Sequence, residues 1–343
     1  MALIIKKKSF KKKLADFIKK KKWSLLISIT LIIITIWWGT TFFQDMIESY
    51  VYFKVLGDNH ERMSRNIGYT SNDFLTPVRN WDQEEITLEA QAVLVTEYDK
   101  KRKNLKKLWK KNSQYQLPIA SLSKLMTAIV AIDHYDLDRL VNINQEMIKA
   151  TGSSGLLNPG EILSVKDLLF LSLIESSNDA CKALSEVSKG SFIKWMNKKA
   201  TEIGLEKTIF INSSGLNNSH QQTNYSTAKD LQKIVKYIID KPKYQLILDI
   251  IAYENFDLYM PNGVFHHTLN TTNDLLSDYE NMIGGKTGYL PNSGGSFIGL
   301  FKKPTTERYL FVIILNSPDR FGETRRILEW LPKAYLYLYN YGH

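Results

Sequence analysis

The order of hydrophobic and polar positions predicts one strand, a long helical region, three more strands and a closing helix. Helical spacing of apolar residues extends over about 121–250, and the closing helix is predicted over about 322–338, where Pro332 is expected to bend or split it. The predicted strands are 90–95, 284–290, 296–301 and 309–315. This order indicates an α/β (α+β) fold, in which an antiparallel β-sheet is flanked by helices and an all-α lobe is inserted between its strands.

Two predicted helices within the lobe begin at sequences typical of helix N-terminal caps. Ser164 begins a capping-box-like sequence ahead of a helix that ends near Leu173. Ser226 or Thr227 is expected to cap a second helix over 228–239.

The N-terminal part predicts a membrane anchor. Residues 23–43 contain no charged side chain, and a helix of that length spans roughly 30 Å, the hydrocarbon core of a bilayer. The lysines of 1–22 are expected to keep that end cytoplasmic, which places everything after Gln44 outside. A cleaved signal peptide is the competing interpretation, but the segment is longer than a signal core, and Gly39-Thr40-Thr41 is a weak cleavage site.

The formal net charge of +10 is concentrated in the tail. Residues 1–22 contain ten lysines and one aspartate, a charge of +9, so the remaining chain carries about +1. A basic nucleic-acid-binding domain is therefore not expected, and nucleic acid is not an expected partner. The single cysteine, Cys181, excludes an intramolecular disulfide framework.

After the tail and the transmembrane segment, residues 44–85 are interpreted as a stalk and 86–343 as the catalytic domain. Within the latter, Lys100 to Lys111 is strongly basic. The favoured interpretation is the solvated tip of a hairpin, and the alternative is contact with an anionic wall polymer or lipid headgroups.

The first of three motifs with chemical potential is Ser121-Leu122-Ser123-Lys124. Ser-x-x-Lys sequences begin at Ser9, Ser121, Ser191 and Ser226. Only Ser121 follows a predicted strand and a proline and opens an apolar helix, where side chains at i and i+3 share a face. Its serine is therefore a candidate nucleophile with a nearby amine base.

The other two motifs are Ser176-Ser177-Asn178 and Lys286-Thr287-Gly288. The first lies in a break between two predicted helices and supplies a polar bridge, although taken alone a helix-capping role is favoured. The second lies on a predicted strand before a hairpin turn and supplies a cationic edge for a carboxylate, although alone it is an ordinary edge strand. The three together, in this order, are the signature of penicillin-binding proteins and class A β-lactamases.

On these motifs the chain, over about 88–335, resembles the low-molecular-weight penicillin-binding proteins, the serine D-alanyl-D-alanine carboxypeptidases. The likeness extends beyond the motifs to further segments. These segments are Pro118 to Ala128, Glu175 to Cys181, Asn212 to Leu216 and Asn270 to Asn273. Ser177 and Leu290 depart from the residues more usual in the family, which bears on substrate preference. The resemblance implies the DD-peptidase/β-lactamase-like fold and a place in a bacterial cell membrane, with the catalytic domain on the extracytoplasmic side.

The resemblance implies a role for each motif residue in trimming the stem pentapeptide of peptidoglycan. Ser121 attacks the penultimate D-alanine and forms an acyl-enzyme, with Lys124 as the base. A free lysine has a pKa near 10.4, so burial and the second cation, Lys286, are expected to lower the pKa of Lys124. Ser176 relays the proton to the departing D-alanine, and Asn178 orients Lys124 and binds the substrate backbone.

The third motif is implied to bind the substrate. Lys286 and Thr287 hold its terminal carboxylate, and Gly288 lets it approach the strand edge as an added strand. The backbone N–H groups of Ser121 and Tyr289 are the implied oxyanion donors. The same site is expected to bind β-lactams covalently.

Two alternatives remain at this point: a β-lactamase, and a catalytically silent wall-binding protein. Transfer of the acyl group to water or to an amine is also left open. No cofactor is expected. No metal is expected either, because His266 and His267 are adjacent and the chain has no His-Glu-x-x-His sequence.

Overall fold

The computed structural model describes residues 77–149, 155–217, 222–303 and 306–336. The predicted basic tail, the transmembrane segment 23–43 and the stalk up to residue 76 lie outside them. Within the described ranges, no helix is both long and apolar enough to cross a membrane. The described residues divide into two compact units, one within 86–331 and the other formed by 77–85 with 332–336.

The secondary structure alternates short hairpins with helices and ends in three long strands and a helix. The strands are β1 Val78–Arg79, β2 Ala92–Asp99, β3 Asn104–Lys111, β4 Leu117–Pro118, β5 Leu140–Asn142, β6 Ile162–Ser164, β7 Tyr225–Ser226, β8 Asn255–Tyr259, β9 Phe265–Asn270, β10 Met282–Leu290, β11 Gly294–Lys302, β12 Arg308–Ser317 and β13 Tyr335–Leu336. The helices are α1 Lys124–His134, α2 Val165–Leu173, α3 Asn178–Glu186, α4 Phe192–Ile203, α5 Ala228–Asp240, α6 Gln245–Ile250 and α7 Arg320–Ala334. Short 3-10 turns cover Ala120–Ser123 and Pro242–Tyr244.

The main sheet has five antiparallel strands in the order β10-β11-β12-β2-β3. Every residue of β12 is buried, which explains its nearly continuous apolar sequence. One face of the sheet contributes Leu94, Phe311 and Ile313 to the same hydrophobic core as α1 and α5. The strand β10 forms one edge of the sheet and β3 forms the other.

The predicted antiparallel sheet flanked by helices is confirmed. The region inserted between β3 and β10 is mainly helical, but it is not the expected all-α lobe, because it contains the short strand pairs β4-β7, β5-β6 and β8-β9. The basic stretch was expected to be a hairpin tip, but only residues 100–103 form the turn, and 104–111 form the edge strand β3. Leu108 is the buried residue of that strand, and lysines occupy most of its other positions. The hairpin of β8 and β9 was not predicted, because few of its residues are buried.

The helix starts follow the predicted capping pattern. The Ser164 side chain accepts a hydrogen bond from the Asp167 N–H at 3.0 Å, and the Asp167 carboxylate accepts one from the Ser164 N–H at 2.8 Å, which completes a capping box. Of the two candidate caps of α5, it is Thr227 that accepts from the Asp230 N–H, at 3.0 Å. The closing helix α7 contains Pro332 in its last turn and ends at Ala334, earlier than expected.

Candidate active site

The candidate nucleophile, Ser121, lies in the 3-10 turn that links β4 to α1. The turn begins at Ala120, whose φ of +47° belongs to the left-handed region that residues with a side chain seldom occupy. The Ser123 hydroxyl donates to the Ala120 carbonyl at 2.7 Å and accepts from the buried Asn224 amide at 2.8 Å. Such local strain persists where surrounding contacts determine the conformation.

The amine of Lys124 lies inside the protein with three oxygen partners. Its Nζ is 2.7 Å from Ser121 Oγ, 2.8 Å from Asn178 Oδ1 and 3.2 Å from the Ser214 carbonyl. The side chain is fully buried. Burial disfavours the charged ammonium and lowers the pKa of Lys124 to about 8, a shift that a weaker interaction with Cys181 opposes.

When Lys124 is uncharged, the chemistry of its other two partners determines which group donates the hydrogen bond between Lys124 and Ser121. An amide oxygen and a backbone carbonyl only accept, so Asn178 and Ser214 take the two N–H groups of an uncharged amine. The remaining lone pair then faces Ser121 Oγ, which lies at hydrogen-bond distance. Asn178 Oδ1 and the Ser214 carbonyl, together called the amine cage, therefore hold an uncharged Lys124 so that its lone pair can accept the serine proton.

The three residues of the second motif make different hydrogen bonds. Ser177 is the helix cap, since its hydroxyl accepts from the Ala180 N–H at 3.1 Å. Asn178 begins α3 and turns its side-chain oxygen to Lys124. Ser176 adopts a left-handed φ of +63° and accepts a hydrogen bond from Lys286 at 3.0 Å. The capping role that was favoured for Ser176 and Asn178 thus belongs to the residue between them.

The third motif lies on the edge strand β10. Lys286 is buried, and burial followed by the nearby Lys124 amine holds its pKa well below the ordinary value. The amine contacts Ser176 and, at 3.4 Å, the Thr287 carbonyl. The Thr287 hydroxyl pairs with that of Thr272 at 2.6 Å. Tyr289 is 61% exposed at the end of the strand.

Two glycines allow the backbone segments to approach the nucleophile turn. A Cβ on Gly288 would lie 3.0 Å from the Ile119 carbonyl oxygen and 3.3 Å from the Ser121 nitrogen. A Cβ on Gly215 would lie 1.8 Å from the Ala120 carbonyl oxygen. Gly215 follows Ser214, whose carbonyl contacts Lys124, so this close approach also sets the position of the amine cage.

Sequence reasoning missed two residues of the site. Asn224 is fully buried, and its amide donates to Ser123 and to the Asn212 carbonyl, which joins the nucleophile turn to the segment that carries Ser214. Arg320, the first residue of α7, donates to the Gly288 carbonyl at 3.3 Å. Its Nε has no hydrogen-bond partner among the residues that the structure describes. A single Asn or Arg carries no spacing signal that could have identified either.

The geometry brings Ser121, Lys124 and Asn178 into direct contact, and it brings Lys286 to Ser176. The strand β10 lies beside the nucleophile turn through Gly288. Over the described ranges, no group of three or more His, Cys, Asp or Glu side chains is arranged to hold a metal ion. The arrangement can transfer a proton from the serine to an amine and offers a second hydroxyl beside a second amine.

This fold and these converging motifs are those of a penicillin-recognising serine enzyme. The chain belongs to the D-alanyl-D-alanine carboxypeptidase family, whose model matches residues 79–318. The expected resemblance is thereby confirmed.

Curated relatives and solved structures agree with the family. A D-alanyl-D-alanine carboxypeptidase of Bacillus subtilis is 31% identical over 261 residues, which cover 73% of this chain and 64% of that protein. A D-alanyl-D-alanine endopeptidase of Haemophilus influenzae is 32% identical over 58% of this chain and 68% of its own length. The ampicillin-bound crystal structure of penicillin-binding protein D2 from Listeria monocytogenes superimposes with a TM-score of 0.61 at 27% identity, covering 72% of this chain and 99% of that one.

The Gly215 contact generates a prediction with a matched control. Gly215→Ala should both destabilise the protein and abolish most activity, because the new methyl group must displace the Ala120 carbonyl of the nucleophile turn. Gly263 is the matched control, because its φ of +82° is close to the +86° of Gly215 but a methyl group added there would meet no atom within 4 Å. Gly263→Ala should therefore cost only about 1 kcal/mol of backbone strain. Thermal unfolding and penicillin labelling of both variants measure the difference, and equal behaviour of the two would contradict the steric account.

Proposed function

We propose that the protein is a membrane-anchored serine D-Ala-D-Ala carboxypeptidase that trims peptidoglycan stem pentapeptides through a Ser121 acyl-enzyme and binds penicillin. The observation that carries the proposal is the buried Lys124 amine 2.7 Å from Ser121 Oγ, with both of its N–H groups directed to obligate acceptors. The name of the Bacillus subtilis relative and the ampicillin bound to the Listeria monocytogenes protein support the substrate and the inhibitor class.

Acylation begins with transfer of the Ser121 hydroxyl proton to the Lys124 lone pair. The serine oxygen then attacks the carbonyl carbon of the penultimate D-alanine and forms a tetrahedral intermediate. The backbone N–H groups of Ser121 and Tyr289 are the proposed donors to its oxyanion, since Gly288 lets the strand approach the Ser121 nitrogen. Collapse of the intermediate breaks the peptide bond and leaves an ester on Ser121.

The departing D-alanine needs a proton on its nitrogen, and Ser176 is the proposed donor. Its hydroxyl accepts from Lys286, so its own hydrogen is free to point to the leaving amine. The proton that Lys124 took from Ser121 replaces the one that Ser176 donates, so Lys124 is uncharged again once the acyl-enzyme has formed. In deacylation Lys124 accepts a proton from the attacking water and passes it to Ser121 Oγ as the ester bond breaks, which releases the trimmed peptide and restores the enzyme.

The carboxylate of the terminal D-alanine is proposed to bind at the β10 edge beside Thr287. Lys286 is engaged with Ser176, whereas Arg320 contacts the Gly288 carbonyl and keeps a buried Nε–H without a partner among the described residues. Arg320 is therefore the better-placed cation for a direct contact with the carboxylate.

A second candidate function uses the same chemistry on a different bond. The Haemophilus influenzae relative is named an endopeptidase, which favours cleavage after a D-alanine that is followed by a cross-linked residue. Purified protein should be offered linear pentapeptide and cross-linked dimer together. Release of free D-alanine identifies the carboxypeptidase, and loss of the dimer without free D-alanine identifies the endopeptidase.

The proposed acyl-enzyme predicts a covalent adduct with penicillin. Wild-type protein treated with penicillin should gain the mass of one drug molecule on the peptide that contains Ser121, and release it slowly. Ser121→Ala should lose the adduct and peptidase activity by several orders of magnitude. Ser191→Ala, in another Ser-x-x-Lys sequence, is the control and should keep both. Rapid turnover of the drug would favour a β-lactamase, and absence of labelling in the folded wild type would favour a silent wall-binding protein.

The lowered pKa of Lys124 predicts the pH dependence of acylation. The neutral amine is the reactive form, so the acylation rate should rise roughly tenfold per pH unit below pH 8 and level off above it. Lys124→Arg should remove that rise and lower the rate by about 10²–10⁴-fold. Stopped-flow measurement with a fluorescent penicillin reads the profile, and Lys194→Arg is the matched control. A rise that persists in Lys124→Arg would assign the proton acceptor elsewhere.

Arg320 predicts a selective loss of carboxylate recognition. Arg320→Leu should raise KM for a peptide ending in free D-alanine about 10–100-fold, the usual effect of losing a hydrogen bond between charged groups. The same peptide with an amidated C-terminus should show little change. Arg325→Leu, which removes a partly exposed arginine from the same helix, is the control. An equal loss for both peptides would show that Arg320 stabilises the site without binding the carboxylate.

Membrane anchoring through 23–43 is part of the proposal, supported by the uncharged run and its lysine-rich flank. Full-length protein should remain in the membrane fraction after carbonate washing, and protease added outside intact spheroplasts should digest the catalytic domain. Deletion of 1–43 should release that domain from membranes. A chain that stays in the membrane fraction after this deletion would place the anchor elsewhere.

A further inference from the structure

Two adjacent histidines on β9 lie on the same side of the strand. Neighbouring residues of a regular strand point to opposite faces. In the β8–β9 hairpin, Leu258 pairs with His267 and Tyr259 pairs with Phe265, so His266 is the extra residue of a β-bulge. The bulge brings the two rings together, with centroids 4.7 Å apart. Bulges of this kind occur next to active sites, where they redirect a side chain.

The two rings form the centre of a chain of four side chains. His266 Nδ1 and His267 Nδ1 are 2.5 Å apart. His266 Nε2 lies 3.3 Å from Glu161 Oε2, and His267 Nε2 lies 3.1 Å from both carboxylate oxygens of Glu175. The side chain of His266 is 5% exposed and that of His267 is 15% exposed, so water contributes little to these contacts.

The contacts specify how many protons the pair carries. An ionised carboxylate only accepts, so each Nε2 that contacts one must carry a hydrogen. The contact between the two Nδ1 atoms requires one further hydrogen. Three protons on four ring nitrogens are one more than two neutral imidazoles supply. The geometry is therefore satisfied when His266 and His267 together carry a single positive charge.

The surroundings favour that charge. Of the described residues, the charged side chains hydrogen-bonded to the pair are Glu161, from the turn ahead of β6, and Glu175, which follows α2. Burial of Glu161 opposes its ionisation, but hydrogen bonds from Asn158 and His266 keep its pKa below the ordinary value. Asp257 on the neighbouring strand is hydrogen-bonded to Thr268. A metal ion bound by both Nδ1 atoms would hold them roughly 3 Å apart, so a proton fits the contact better.

The pair is connected directly to the second motif. Glu175 precedes Ser176, whose left-handed backbone must be held by its surroundings. On the same stretch, the Ile174 carbonyl accepts from the Thr272 N–H at 3.3 Å, and the Ser177 N–H donates to Leu171 at 3.0 Å. The contact between His267 and Glu175 is therefore one of a small set that fixes the turn carrying the Ser176 hydroxyl.

We propose that His266 and His267 are positioning residues that share one extra proton, and that this proton joins Glu161 to Glu175 and holds the Ser176 turn in its active position. When the pair loses the third proton, either the two Nδ1 lone pairs face each other or one Nε2 lone pair faces a carboxylate, and either contact is repulsive. The favourable contact is thus present while the pair holds the third proton and is lost once that proton leaves at higher pH. The proposal rests on the proposed role of Ser176 in acyl transfer.

The kinetic test compares His267→Gln with wild type across pH. The variant should acylate with penicillin about tenfold more slowly than wild type at pH 6, because it loses a hydrogen bond between charged groups. The deficit should shrink towards none at pH 9, where wild type has lost the same contact. His134→Gln, which removes a histidine stacked on Trp195, should match wild type throughout. A deficit that is the same at every pH would show a purely structural role and overturn the proposal.

A second arm counts the protons directly. In ¹⁵N-histidine spectra of the full-length protein at pH 6, the pair should show three protonated ring nitrogens, assigned by their absence in His266→Gln and His267→Gln. Glu161→Gln, which leaves the catalytic residues and both rings in place, should reduce the count to two at a lower pH than in wild type. Two protons in wild type at pH 6 would overturn the proposal. Lack of any penicillin labelling in wild type would instead defeat the proposed function, while the spectra still decide the proton count.

Discussion

The contact between a buried lysine amine and the Ser121 hydroxyl is the interaction on which the site depends. A serine hydroxyl is a weak nucleophile until a base accepts its proton, and a lysine is a base only when it is uncharged. Burial of Lys124 disfavours its charge, while Asn178 and Ser214 occupy its two N–H groups. In the proposed mechanism, a desolvated amine held by fixed hydrogen-bond acceptors thus takes the place of the histidine of other serine enzymes.

The rest of the fold holds the amine cage in place. The hydrophobic core positions α1, and with it Lys124, while the edge strand and the 211–215 segment press on the nucleophile turn from two sides. Asn224 joins the turn to the segment that carries Ser214. Two non-glycine residues at the site have left-handed backbones: Ala120 directly precedes Ser121, and Ser176 carries the second hydroxyl itself. Strain at these positions is maintained because several independent contacts determine them.

The sequence predicted those elements whose burial leaves a clear pattern of apolar residues, and it missed those without such a pattern. The strand β12 and the helix α1 are continuous or periodic in apolar residues, so burial itself produced a readable signal. The edge strand β3 carries four lysines and one buried residue, so its sequence lacks the apolar pattern that would have predicted a strand. The motif residues could be named because their types and order are shared with a known family. Arg320, Asn224 and the paired histidines could not, since their roles arise from neighbours distant in sequence and from a strand bulge that no local pattern encodes.

The protonation state of Lys124 is the central physical claim, and it can be observed without kinetics. Full-length protein labelled with ¹³C and ¹⁵N in lysine should show one side chain that titrates near pH 8 and disappears in Lys124→Arg, well separated from the surface lysines near 10.4. A Lys124 signal that titrates together with the surface lysines would leave only about one amine in a few thousand uncharged at pH 7, instead of the roughly one in ten that a pKa near 8 gives, and it would contradict the account.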